Sequence, residues 1–318
     1  MQKVIATVLT VCISLGLVLG CAGPGAGAKE VTVGNKNFTE QYIVGELIKQ
    51  ALEEHGFTVK LEADLSSDIL RGGMEAGDID ICADYTGTAW MVHLEHEYEP
   101  GVDNNELYQL VKEEEEGKGF TWLDPIWNNN TYVLVSWSEF VEANGVTTLS
   151  DLAALYQEGK VEIRTFVGFE FSTRPDGLPA LEEHYGFKAD EAFLMTGAPG
   201  ASLMGLENRE CDVAMAFGTD AIIAKYGWHS YLDNKAFFPP YDLTPYVRTD
   251  TLDKYPEIAD ILNELVATFP GGGGTATPEI VGEGQQAWQE LNAKVDIDKM
   301  EPDEVAHEYL VAYGLVEE

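Results

Sequence analysis

Four aromatic residues stand where their faces, more than their hydroxyls, would be the useful chemistry. Tyr85, Tyr132 and Phe217 each fall at or just past the end of an apolar, strand-like run, and Tyr241 falls in a proline-rich segment. Their neighbours are polar or small: Asp84 and Thr86, Asn130 and Thr131, Gly218 and Thr219, Pro240 and Asp242. Aromatic residues at strand ends ordinarily pack a core or an interface. The alternative is a cage. An aromatic face attracts a quaternary ammonium group through its quadrupole, by up to about 2 kcal/mol when water is excluded. Such a cation has no N–H to donate, so faces are the chemistry available to hold it. Lys36 and Arg174 would suit the other end of a zwitterion. Arg174 can grip a carboxylate through two parallel hydrogen bonds, and Lys36 adds a point charge. Basic residues are scarce, 19 in all, which makes these two notable. The alternative for both is a surface or domain-bridging ion pair of little energetic weight.

Catalytic patterns are missing. There is no Gly-x-Ser-x-Gly elbow and no His-Glu-x-x-His pair. His93, Glu95, His96 and Glu97 form the densest metal-like group, and the two histidines could share a helical face, but no well-spaced third ligand follows. Carboxylate pairs are uninformative in so acidic a chain. Residues 271–274 are glycines, yet no Lys-Ser or Lys-Thr follows them, so they do not read as a phosphate loop. The expectation is a binding protein without catalytic residues, metal or cofactor.

The elements that must position these residues alternate in type. Residues 31–34 read as a strand. Residues 40–55 carry Ile43, Val44, Leu47, Ile48, Ala51 and Leu52 at helical spacing, with Thr39 as a candidate cap. A strand at 58–63, a helix at 67–76 and a strand at 78–83 complete a β-α-β-α-β order, which predicts a mostly parallel sheet. Residues 104–116 form a polar helix ending in four glutamates that read as a solvated face. Strands are predicted at 131–137, 161–166, 192–195 and 213–217. Helices are predicted at 149–157, with Ser150 as candidate cap, and at 201–208. Residues 237–245 read as irregular because of Pro239, Pro240 and Pro245. Helices follow at 258–269, 279–291 and 302–313. Two such blocks with a returning helical tail predict an α/β protein of two lobes. The first lobe takes residues 29–130 and 240–318 and the second takes 131–239, with a binding cleft between them.

Residues 1–21 read as an export signal. Lys3 supplies the positive start, residues 4–19 are apolar but short for a membrane span, and Val18-Leu19-Gly20-Cys21 puts a cysteine where cleavage would fall. That pattern resembles a lipobox, with Cys21 the lipidated first residue and residues 22–28 a flexible tether. The alternative is a signal peptide with an incidental cysteine. The protein is expected outside the cytoplasm, held to a membrane by a lipid alone. Cys82 and Cys211 are expected as buried thiols rather than a disulfide. Asp and Glu outnumber Lys and Arg 55 to 19, and the net charge of −36 argues against nucleic acid and anionic membrane surfaces. A cation or zwitterion is the easier ligand. Such acidity also resembles proteins of salt-rich settings.

The segments Lys36-Asn37-Phe38-Thr39-Glu40-Gln41, Asp84-Tyr85-Thr86-Gly87-Thr88, Asn129-Asn130-Thr131-Tyr132, Arg174-Pro175-Asp176-Gly177, Thr219-Asp220 and Phe238-Pro239-Pro240-Tyr241 occur in this order. Together they resemble the quaternary-ammonium-binding proteins of ABC importers, the ProX/OpuC type. The resemblance spans the mature chain. It implies a two-lobed periplasmic-binding-protein fold of type II, a monomer that captures glycine betaine or a related trimethylammonium solute, and delivery to a membrane permease with its ATPase. It implies a cage of Tyr85, Tyr132, Phe217 and Tyr241, and a carboxylate site of Lys36, Thr88 and Arg174. Two departures stand out. Phe217 replaces the more usual tyrosine, and Leu65-Ser66-Ser67-Asp68 replaces a Gly-Gly-Thr-like stretch. Ser67 or Asp68 could reach the ligand's polar end, where choline-selective members place an acid, so choline and carnitine remain open. The alternative for Ser67 and Asp68 is a helix cap.

Overall fold

The computed structural model describes residues 29–317. The signal, tether and Cys21 readings lie outside them. The chain opens with β1 (Lys29–Lys36), α1 (Thr39–Glu54), β2 (Phe57–Leu65), α2 (Ser67–Ala76) and β3 (Ile81–Tyr85), in the predicted order. It turns through α3 (Thr86–Thr88) and a wide π turn at Ala89–His93 into α4 (Asn104–Glu116) and β4 (Phe120–Trp122). The middle of the chain holds β5 (Tyr132–Ser136), α5 (Ser138–Asn144), α6 (Leu149–Glu158), β6 (Thr165–Gly168) and α7 (Leu178–Tyr185). There follow β7 (Leu194–Gly197), α8 (Ala201–Glu207), β8 (Val213–Phe217), α9 (Ala221–Tyr226) and β9 (His229–Ser230). The chain returns through β10 (Leu243–Arg248), α10 (Thr249–Lys254), α11 (Glu257–Val266), α12 (Pro278–Asp296) and α13 (Pro302–Ala312).

Two five-stranded sheets result, ordered β2-β1-β3-β10-β4 and β7-β6-β8-β5-β9. They share one plan. Three strands run parallel, and the strand that enters from the other lobe, β10 or β5, lies antiparallel beside the third. Helix α1 buries the whole apolar stripe read from the sequence, Ile43 through Leu52, between the first sheet and the returning helices α11, α12 and α13. Each fully buried Leu or Ile of that stripe stabilises the lobe by about 1.5–3 kcal/mol. Cys82 in β3 and Cys211 before β8 are buried and free, one against each sheet.

Several local expectations are corrected. Residues 243–245 are not irregular but begin β10, which sits inside the first sheet. Pro245 is tolerated there because its side of the strand faces the end of β4. Its carbonyl accepts from the Leu123 amide at 3.0 Å, and the Leu123 carbonyl, which a Pro245 N–H would have met, takes the Tyr108 hydroxyl at 2.7 Å. Thr39 does not cap α1. Phe38 occupies that position, and the Thr39 hydroxyl donates to Asp296 instead. Thr148, in a capping box with Asp151, caps α6 in place of Ser150. Ser66 caps α2, so neither Ser67 nor Asp68 does. The acidic end of α4 is not wholly solvated: Glu115 is buried and pairs with Arg71 at 2.6 Å. The glycine run 271–274 packs under the first crossover. A Cβ on Gly272 would lie 1.9 Å from the Val266 carbonyl, and Gly273 donates to the carbonyl of Pro125.

The two crossovers, residues 123–131 and 231–242, come together where they pass between the lobes. The Asn130 amide donates to the Tyr241 carbonyl at 2.8 Å, the Tyr241 amide to Asn129 Oδ1 at 2.9 Å, and the Leu243 amide to Asn128 Oδ1 at 3.0 Å. The Asn129 amide in turn donates to Asp242 Oδ1 at 3.0 Å. Asn129 has a φ of 37°, a left-handed conformation that asparagine tolerates better than most side chains.

Candidate functional site

A cavity of about 620 Å³ lies between the lobes, at the carboxyl ends of the parallel strands, where open α/β sheets bind their ligands. Tyr85, Tyr132, Phe217, Tyr241, Lys36, Thr88, Arg174 and Ser67 all line it. Asp68 does not. It is exposed on the first turn of α2, one residue beyond the side chain that faces the cavity.

The aromatic rings form a connected wall. Tyr132, the first residue of β5, has ring centroids 5.3 Å from Phe217, 5.5 Å from Tyr241 and 4.8 Å from Phe171. Phe217 stacks on Phe38 at 4.9 Å, and Phe38 lies 6.2 Å from Tyr85. β5 and β8 pair Tyr132 directly with Phe217, so the sheet register itself brings these two together. The sequence reading missed Phe38 and Phe171. Both were visible by the same criterion applied to the others, an aromatic residue just past a strand end, here β1 and β6.

The polar end contains more acid than the sequence reading supplied. Lys36 Nζ lies 2.5 Å from Asp84 Oδ1, and both are buried. Burial disfavours a charged Asp84, but the ammonium of Lys36 and the imidazole of His93, 3.1 Å from the other oxygen, outweigh it and hold the carboxyl well below its usual range. Arg174 grips Asp176 through Nε and Nη2, both at 2.7 Å, and Tyr241 donates its hydroxyl to the same carboxylate at 2.7 Å. The guanidinium also reaches across the cleft to Thr88 Oγ1 and Ser67 Oγ, each at 3.2 Å. Glu170, another residue the sequence reading missed, accepts from the Ser67 amide and hydroxyl at 3.1 and 3.0 Å and lies 3.5 Å from Arg174. Both basic residues are therefore already matched by carboxylates, which removes the simple reason for preferring a zwitterion.

Behind the aromatic wall lies a buried acid. Glu40 Oε1 accepts from the Tyr85 hydroxyl at 2.8 Å, Asn130 Nδ2 at 3.1 Å and Asn128 Nδ2 at 3.2 Å, while Oε2 has no hydrogen-bond partner among the described residues. Burial pushes Glu40 up to about 7, against the opposing influence of the Thr219, Tyr85, Asn128 and Asn130 side chains. Asp220, which lines the cavity beside Phe217 and accepts its amide at 2.7 Å, is also pushed up to about 7 by burial. The histidines read as metal-like go separate ways. His93 turns inward to Asp84, and His96 pairs with Glu114 at 2.7 Å and stacks on Trp90.

Two lobes thus enclose a cavity walled by aromatic faces. The family described as the substrate-binding domain of ABC-type glycine betaine transport systems matches residues 29–312. The chain belongs to this family. It is 30% identical over 311 residues to a glycine-betaine-binding protein of Pseudomonas aeruginosa, covering 95% of each chain. It is also 30% identical over 319 residues to the carnitine transport binding protein OpuCC of Listeria monocytogenes, covering 97% of this chain and 96% of that one. The apo structure of YehZ from Escherichia coli superposes with a TM-score of 0.59 at 28% identity, over 92% of this chain and all of that one. Proteins of this family are transport components that work outside the cytoplasm beside a permease. Among the described residues no helix is long and apolar enough to cross a membrane.

Proposed function

We propose that this protein captures a trimethylammonium solute, glycine betaine foremost, and hands it to the permease of an ABC importer. The observation that carries the reading is the continuous aromatic wall of Tyr85, Phe38, Phe217, Tyr132 and Tyr241 around a cavity between lobes. Three or four such faces at about 2 kcal/mol each, less the cost of ordering, are compatible with the about −8 kcal/mol that micromolar binding requires. Lys36, Thr88, Arg174 and Ser67 take the ligand's polar end. Asp68 has no part in it. The lobes comprise residues 29–130 with 240–318, and residues 131–239. Cys21 carries a lipid that keeps the protein, a monomer, at the outer face of the membrane.

A second ligand, choline, is favoured by one observation: Lys36 and Arg174 already face Asp84, Asp176 and Glu170. A ligand carboxylate must compete with those acids, whereas a hydroxyl need not. Calorimetric titration of the purified protein with glycine betaine and with choline, at low and high salt, separates the two. Tighter one-to-one binding of betaine supports the zwitterion site. Choline alone keeps the cage and removes the carboxylate role. No saturable heat with either, from folded protein, refutes the quaternary ammonium reading.

A further inference from the structure

The cavity does not end at the cage. On the side of the second lobe it continues along a wall of Phe169, Leu203, Met204, Met215 and Ile222, set between the end of β6, helix α8 and the start of α9. Phe169 and Met204 are 59% and 63% exposed, although both face a cavity. Exposed apolar side chains gathered at the rim of a binding site mark a surface that a partner covers. Two of the five are methionines, whose unbranched, polarizable side chains adapt to ligands of varied shape.

The polar groups along this stretch discourage an anionic occupant. The Ser202 hydroxyl is engaged by the Met215 carbonyl at 2.6 Å. Glu207 at the rim accepts the Tyr226 hydroxyl, and Glu170 lies on the adjoining edge. The basic residues that line the cavity are Lys36, Arg174 and Lys299. Lys36 and Arg174 are paired as described, and Lys299 donates to the Asp296 carbonyl at 2.6 Å. An anionic group would meet the carboxyl groups of Glu170, Glu207 and Asp220. An apolar one would cover carbon.

We infer that the site also accepts quaternary ammonium compounds bearing an uncharged apolar substituent, with the head in the aromatic cage and the substituent along the Phe169–Met204–Met215 wall. This rests on the cage reading and specifies the substrate class that reading leaves open. Compact solutes such as glycine betaine occupy only the inner part of the site.

The test is one-to-one binding of tetramethyl-, butyltrimethyl- and hexyltrimethylammonium to the purified full-length protein, with glycine betaine as competitor. Affinity is expected to rise about two- to fourfold for each methylene that reaches the wall, the value for a partly to fully buried CH₂. The double substitution Phe169→Ser with Met204→Gln, at positions exposed enough to spare the fold, is expected to lower the hexyl-to-tetramethyl affinity ratio about fivefold. Tetramethylammonium or betaine binding with an affinity that stays flat or falls along the series overturns the apolar wall and leaves the cage standing. A ratio unchanged in the double variant overturns it too, because the chain then lies elsewhere. If neither betaine nor any member of the series binds, the cage fails and the wall with it.

Discussion

Replacing Tyr85 by phenylalanine separates the two roles of that residue. Its ring lines the cavity, and its hydroxyl donates to Glu40 Oε1 at 2.8 Å behind it. The face survives the substitution, so betaine affinity should stay within about twofold, whereas Tyr85→Ala should lose about tenfold to thirtyfold. Stability is another matter. Glu40 is buried, one of its oxygens already lacks a partner among the described residues, and removing the Tyr85 hydroxyl takes away a donor to the other. Burial raises Glu40 from 4.5 to about 7. Between those values the folded protein holds a proton that the unfolded chain releases. Glu40 therefore costs stability progressively as pH rises through that window, and the full cost, about 3 kcal/mol, is present above pH 7. The hydroxyl favours the ionised form, so its loss pushes Glu40 higher still. Tyr85→Phe should thus cost about 1 kcal/mol at pH 5, where Glu40 is protonated, and about 2–3 kcal/mol at pH 8, where a charged acceptor loses its donor. Denaturant unfolding of both proteins at the two pH values measures this, and Glu40→Gln should abolish the difference between them. A variant destabilised equally at pH 5 and pH 8, or more at pH 5, would refute an ionisable Glu40 as the hydroxyl's acceptor.

Phe38→Ala should weaken betaine by about tenfold, one aromatic face, in a titration of folded protein; an unchanged affinity would make Phe38 a packing residue for Phe217 alone. Arg174→Ala should weaken betaine more than choline, by a further factor of about ten, the worth of a charged hydrogen bond. Equal losses would assign Arg174 to holding the lobes together through Thr88 and Ser67. Cys21→Ser should move the protein from the membrane fraction to the soluble one, and continued retention would rule out the lipid anchor.

The alternation of strand and helix was legible because each period is written in apolar residues, as in the stripe of α1. The strands around Thr165 and Leu194 lie a few residues beyond their predicted places, since short apolar runs do not mark their own ends. β10 was hidden because Pro245 argues against a central strand, and only the Tyr108 hydroxyl, far away in sequence, explains why it is allowed. The aromatic residues that line the cavity were readable from strand-end positions or, for Tyr241, from the proline-rich segment, and Phe38 and Phe171 also follow strand ends. Glu170 was not. Its partner Ser67 is distant in sequence and on the opposite lobe, and nothing local distinguishes it among 55 acids. The pairing of Lys36 with Asp84 is likewise a product of β1 lying beside β3.

The joined crossovers have a mechanical consequence. Two separate tethers would let the lobes twist and slide as well as fold together. Strapped to each other through Asn128, Asn129 and Asn130 on one side and Tyr241, Asp242 and Leu243 on the other, they restrain each other's movement. The amides of Asn128 and Asn130 also hold Glu40, and Glu40 holds Tyr85. Movement of the crossovers is therefore coupled to the ring that faces the cavity, so the relative position of the lobes and the shape of the cavity change together.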